Sequence, residues 1–179
     1  MLGAQKRELV DRLQTGRDAL IATLDGVDEP LAAQKPAPDA WSILECVEHV
    51  AVVEQLLLSR LTSAVRAETS HENRMREAMI AARGADRSRP IESPETARPR
   101  NRFGSLREAL AAFDSARGET LRFLDGFSGD LRFCVTDHPV IPGPVNCFEI
   151  LLLSSIHPAR HAKQIAEVRS SLVAAGISD

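Results

Sequence analysis

With 179 residues, 44% apolar but only 4% aromatic and without tyrosine, the chain has material for one sizeable core of Leu, Val, Ile and Ala, a composition that suits helix-on-helix packing better than a sandwich. A formal charge of −3 and a pI near 6.0 exclude a general electrostatic pull toward nucleic acid or an anionic membrane surface. No apolar run approaches the roughly 18 residues of a membrane span, and Met1 to Glu8 lack the apolar centre of a secretory signal, so one cytoplasmic domain over residues 1–179 is expected.

Four helices are predicted in chain order. The first, roughly residues 4–25, carries Leu9, Leu13, Leu20 and Leu24 at three- and four-residue spacings and closes at Gly26. After Pro30, Pro36 and Pro38, Ser42 with Glu45 marks the next start, since two such side chains reciprocally satisfy orphan backbone N–H groups. That helix is predicted over 42–83, with a candidate break at Thr69 and Ser70, and closes at Gly84. It is apolar on most faces between 43 and 58, which marks it as the most buried. Pro90, Pro94 and Pro99 punctuate the following connection. The third helix, 105–125, opens at Ser105 with Glu108, carries Leu106, Leu110, Phe113, Leu121 and Leu124, and ends at Gly126. Pro139, Pro142 and Pro144 lead to Asn146 with Glu149 and a fourth helix over 147–175, which carries Ile150, Leu153, Ile165, Val168 and Leu172 and closes at Gly176. Connections of about fifteen to twenty residues are long enough to cross a bundle, so neighbouring helices can be parallel. The expected fold is all-α, a four-helix bundle with long crossover loops.

Cys46, Cys134 and Cys147 are odd in number and lack a C-x-x-C pair, which argues for buried structural thiols over a disulfide framework or a zinc–thiolate cluster. Cys46 stands apart, one turn before His49. The histidines are more informative. His157 and His161 are four apart on the fourth helix, in the seam of Ile150, Leu153, Gln164 and Val168 where apolar residues belong; His49 lies in a seam of the second helix with Cys46, Val53 and Leu56. Three imidazoles thus point into one interior. Ordinary core packing must find each ring two hydrogen-bond partners. A shared divalent ion, Zn²⁺, Ni²⁺ or Fe²⁺, takes one nitrogen of each neutral ring instead. Pro158 sits between the two helix-four histidines, where it costs about 3 kcal/mol in a helix interior. The seam stays in phase across it, so a kinked but continuous helix is expected rather than a new start.

Trp41-Ser42-Ile43-Leu44-Glu45-Cys46-Val47-Glu48-His49, with a carboxylate at Glu54, resembles the W-S-x-x-E-x-x-x-H signature of the DinB-like family. His157-Pro158-Ala159-Arg160-His161-Ala162-Lys163-Gln164-Ile165 is similar to its second signature, H-x-x-R-H-x-x-Q-I, and His138-Pro139 ahead of the Pro/Gly turn and Asn146 also looks familial. The resemblance spans nearly the whole chain. It implies a four-helix bundle, often a homodimer, with one metal on His49, His157 and His161. In some relatives it implies S-transfer or isomerisation with low-molecular-weight thiols such as mycothiol, bacillithiol or glutathione.

Three neutral ligands would leave an ion its full charge and open positions, enough to deprotonate a thiol for S-transfer or to activate water for hydrolysis. The other function class is a metal- or ligand-binding bundle without catalysis. Gln164 can line the same cavity or bond backbone at the core edge; Arg160 can pair with a substrate carboxylate or form a structural salt bridge; Glu45 can back His49, although capping already accounts for it. His71 and His138 are assigned to surface and loop, and Trp41 to a hydrophobic staple. Nine arginines between Arg74 and Arg107 lack the interleaved aromatics of a nucleic-acid patch and read as a solvated crossover. Gly16 and Gly118, inside helices, have no sequence-level explanation.

Overall fold

The computed structural model describes residues 3–83, 86–88 and 91–176, so the helix end expected at Gly84 and the proline at 90 lie outside the described residues. In chain order the helices are α1 (Gly3–Ala22), α2 (Glu29–Ala33), α3 (Ile43–Ser63), α4 (Arg74–Arg83), α5 (Leu106–Gly126) and α6 (Cys147–Ala174). Four long ones, α1, α3, α5 and α6, build the bundle.

Capping chemistry sets their starts. Full reciprocal boxes form at Ser42 with Glu45 and at Asn146 with Glu149. At Ser105 only half the box forms. The hydroxyl accepts from the Glu108 N–H, but the Glu108 carboxylate accepts from Gly104 instead. The start of α5 gains a second acceptor from α2, where the Glu29 carboxylate takes the Leu106 N–H at 2.7 Å. Gly26 and Gly176 adopt the left-handed conformation expected past a helix end.

The helix predicted over 42–83 is two helices. Val65–Arg66 (β1) leaves α3 to pair antiparallel with Cys134–Thr136 (β2), which pairs in turn with Val145–Asn146 (β3). Asn73 then restarts a helix by accepting from the Arg76 N–H at 2.9 Å. The β-branched Val65 and the cap at Asn73 outweigh helical propensity here. Neither this small sheet nor α2 was predicted.

Long connections permit parallel neighbours, and both pairs are present. Gly16 of α1 abuts Ser155 of α6, and Arg169 of α6 donates to the carbonyls of Thr23 and Asp25, so α1 and α6 run parallel. One apolar cluster joins Leu57 and Leu61 to Leu124; another joins Ile43 and Val47 to Leu106 and Phe113, so α3 and α5 are parallel too. His49 faces His157 and His161, while Glu54 faces Ser154, so α3 and α6 are antiparallel. Between the two clusters lies a buried polar layer holding Glu54, Arg117, Thr120 and Ser154.

Gly16 belongs to that layer for a steric reason: a Cβ there would overlap the Ser155 carbonyl oxygen. Gly118 meets nothing closer than the flexible Arg122 guanidinium at 3.7 Å. The same substitution should therefore act with opposite signs. Gly16→Ala is expected to destabilise by about 1–3 kcal/mol through overpacking, and Gly118→Ala to stabilise by about 1 kcal/mol through helix propensity. Urea unfolding measures both, and a neutral Gly16→Ala would contradict the close α1–α6 crossing.

Candidate metal centre

α3 presents His49 and α6 presents His157 and His161, and the antiparallel crossing brings the three rings together. The Nε2 atoms of His49 and His157 are 3.1 Å apart, as are those of His157 and His161. One nitrogen from each ring lies within 4.8 Å of the others. Two nitrogens bound to one ion at about 2.0–2.1 Å, and roughly at right angles to each other, would be about 2.9 Å apart, close to the separations of His157 from His49 and from His161.

The outer nitrogens decide what the inner ones carry. His49 Nδ1 lies 2.7 Å from the Ala97 carbonyl, which only accepts, so Nδ1–H is the donor. His161 Nδ1 lies 2.9 Å from Gln164 Oε1. That amide is oriented by Arg87, whose Nη1 donates to the same Oε1 at 3.1 Å, so Nδ1 of His161 is also a donor. Both rings therefore turn an Nε2 lone pair toward His157. A lone pair facing a lone pair has no hydrogen between them, and the His157 nitrogen can offer at most one. An electrophile satisfies all three.

The rings stay neutral in the native protein. Burial holds His49 below its usual value. Burial, followed by mutual repulsion with their neighbours, holds His157 and His161 well below it. Such nitrogens meet a divalent ion without competing protons at neutral pH.

Three supports hold this arrangement. Residues 95–97 form a 3₁₀ turn that aims the Ala97 carbonyl inward. The buried Glu48 carboxylate holds the following loop, accepting from the Arg100 N–H at 2.7 Å and from Arg102 at 2.8 Å. On α6, Glu167 pairs with Arg87 at 2.7 Å and so fixes Gln164. The third support answers Pro158, which lies inside a continuous α6 and leaves the Ser154 carbonyl without its helical donor. Arg117 Nη2 donates to that carbonyl at 2.8 Å, and the same guanidinium pairs with Glu54 at 2.8 and 2.9 Å. Glu54 also accepts from Ser154 and Thr120, so the buried pair is fully hydrogen-bonded.

The rings open on a cavity of about 1040 Å³. Gln164 lines it, and its amide orients His161 rather than bonding backbone. Arg160 lines it too, with a guanidinium N–H donated to the Asp86 carbonyl. Glu45 is not behind His49: one carboxylate oxygen caps Ser42 and the other pairs with Lys35 at 2.8 Å, because the capping geometry turns it outward. Cys46 is buried, and burial pushes its thiol up to about 12, so it offers no thiolate. Cys147 is likewise buried and Cys134 half-buried, all three as free thiols. His138 lies in a loop, as expected, but not at the open surface. It is half-buried at the cavity wall, its Nδ1 accepts from the Val140 and Ile141 N–H groups, and burial lowers it to about 4. His71 is half-buried away from the cluster. Trp41 does more than staple: its ring centroid is 5.0 Å from His49 and it stacks on His161 at 6.4 Å. Arginines of the crossover are engaged within the chain, Arg76 with Glu149, Arg98 and Arg100 with Glu95, and Arg102 with Glu48.

The depressed imidazoles fix the pH response of metal-free protein. The unfolded chain takes up protons as pH falls through about 6.5, while the native cluster refuses them. The unfolded state binds more protons there, so stability is full above pH 6.5 and falls as pH drops below it. Denaturant unfolding between pH 7.5 and 5.5 should show this slope in EDTA, and a flatter one in His161→Ala. A wild type indifferent to pH over that range would contradict the neutral cluster.

The model of the DinB superfamily matches residues 12–165. No curated protein matches the chain significantly. Among solved structures, TT2238, described as a four-helix bundle protein, is 24% identical, with a TM-score of 0.58 over 90% of this chain and 98% of its own. YfiT from Bacillus subtilis, described as a probable metal-dependent hydrolase with an unusual four-helix bundle topology, is 15% identical, with a TM-score of 0.58 over 99% of this chain and 91% of its own. Among the described residues no helix is long and apolar enough to cross a membrane. The fold agrees with these neighbours, and the family match covers most of the chain, all three histidines included: the chain belongs to the DinB superfamily.

Proposed function

We propose that this protein is a metal-dependent enzyme in which His49, His157 and His161 hold one divalent ion and the adjoining cavity takes the substrate, with thiol S-transfer as the reaction. The observation that carries the reading is the convergence of three neutral imidazoles, two of them fixed as Nδ1–H tautomers, on one point at the cavity wall. When bound, a divalent ion supplies Lewis acidity that makes a coordinated thiol or water a nucleophile at neutral pH.

The chain's own residues do the rest. Ala97 and Gln164 hold the rings, Trp41 covers them on one side, and Val53, Leu56, Leu57, Leu153 and Ile156 give the adjoining cavity an apolar wall. S-transfer is preferred over hydrolysis because the two histidine signatures, Trp41 to His49 and His157 to Ile165, resemble those of relatives that transfer low-molecular-weight thiols. Hydrolysis is the second reading, supported by the description of YfiT.

Protein loaded with cobalt should bind about one ion per chain, and a low-molecular-weight thiol should shift its visible d–d bands. Loss of free thiol to an added electrophile should then exceed the spontaneous rate and cease with EDTA. His49→Ala, His157→Ala and His161→Ala should lose the bound ion, and His71→Ala should keep it. A loaded protein whose spectrum ignores glutathione, mycothiol and bacillithiol would overturn the thiol reading, and ester hydrolysis by the zinc form would then test the second.

A further inference from the structure

The cavity is far larger than the histidine cluster requires. Its volume of about 1040 Å³ stands at the upper end of small-molecule pockets, and the imidazoles occupy one wall. Away from them run two apolar rows. On α3, Val53, Leu56 and Leu57 follow His49 at helical spacings and line the cavity; on α6, Leu153 and Ile156 precede His157 and line it too. Because α3 and α6 are antiparallel, both rows extend from the histidines in the same direction. The rise from His49 to Leu57 is about 12 Å.

The mouth repeats the pattern. Met79, Ile91 and Val140 are 44%, 59% and 52% exposed and come from three separate segments, yet all line this cavity. Single exposed apolar residues are ordinary, but a convergent set marks a binding surface. Two of the lining arginines are paired with carboxylates, Arg76 with Glu149 at 2.6 Å and Arg87 with Glu167 at 2.7 Å, while Arg60 and Arg160 donate to the carbonyls of Asp137 and Asp86. An apolar body would bury its surface along both rows.

We propose that the substrate joins a metal-seeking head group at the three histidines to an extended apolar body, an alkyl, acyl or aryl chain of medium length, lying between Val53 and Leu57 on one side and Leu153 and Ile156 on the other. The proposal rests on the metal-centre reading for the head group and on the cavity alone for the body.

Trp41 is the only tryptophan and lines the same cavity, so its fluorescence reports occupancy. Zinc-loaded protein, its zinc content measured first, is titrated with acetohydroxamate, hexanohydroxamate and decanohydroxamate. Affinity should rise about fourfold per buried methylene, on the order of a hundredfold from the first to the second. Exchange of the exposed Met79→Gln and Val140→Gln together should erase the gain from the second to the third and leave acetohydroxamate binding unchanged. Equal affinities along the series in zinc-loaded protein would overturn the proposal and leave the metal centre standing. Should zinc fail to load, hexanol and decanol are titrated on the metal-free protein. Tighter decanol binding then upholds the apolar body while the metal reading falls, and equal binding overturns both.

Discussion

Arg117 is the side chain on which the bundle's centre depends. Its guanidinium, 2% exposed, touches all four long helices: it donates to Glu54 on α3, to the Leu13 carbonyl on α1 and to the Ser154 carbonyl on α6 from its own place on α5. A charge so buried is tolerated only because every partner is supplied; removing one partner of such a pair typically costs about 3–5 kcal/mol. What it does for α6 is specific. Pro158 deletes the donor for the Ser154 carbonyl, and Arg117 replaces it, so the helix passes through the proline without an orphaned acceptor. His157 and His161 flank that point. Gly16 belongs to the same design, since α1 must pass against Ser155 for its Leu13 carbonyl to reach Arg117.

The histidine cluster is the complement of this layer. A fully hydrogen-bonded ion pair sits at mid-bundle, and one face away sit three rings, two with their outer nitrogens paired and all three with Nε2 turned toward the others. His49 and His161 are locked by an acceptor carbonyl and an oriented amide, and the locking groups are themselves held, Ala97 through Glu48 and its arginines, Gln164 through Arg87 and Glu167. Rings fixed in this way have little freedom to turn a proton inward, which is what a preorganised ligand set requires.

The bundle was legible because its signals are local. Caps at Ser42, Ser105 and Asn146, leucine spacings and the in-phase seam across Pro158 each reside in a few consecutive residues, and each recurs in the structure. The convergence of His49 with His157 and His161 was legible for the same reason, as polar residues in apolar seams. What escaped depends on contacts between residues far apart in sequence. The partnership of Glu54 with Arg117 spans 63 positions, and nothing beside either residue announces it. The carbonyl of Ala97 carries no side-chain signature at all. Trp41 looks like a staple because its stacking on His161 arises only when α3 and α6 cross. Glu45 misled in the opposite way, since its position one turn before His49 is also the position a capping box demands.

The central claim is that three Nε2 lone pairs meet at one ion, and X-ray absorption at the edge of bound zinc tests it most directly. The account predicts three imidazole nitrogens at about 2.0–2.1 Å, with their outer-ring scattering and the remaining positions filled by light atoms. A sulfur ligand near about 2.3 Å, or fewer than three imidazoles, would contradict it.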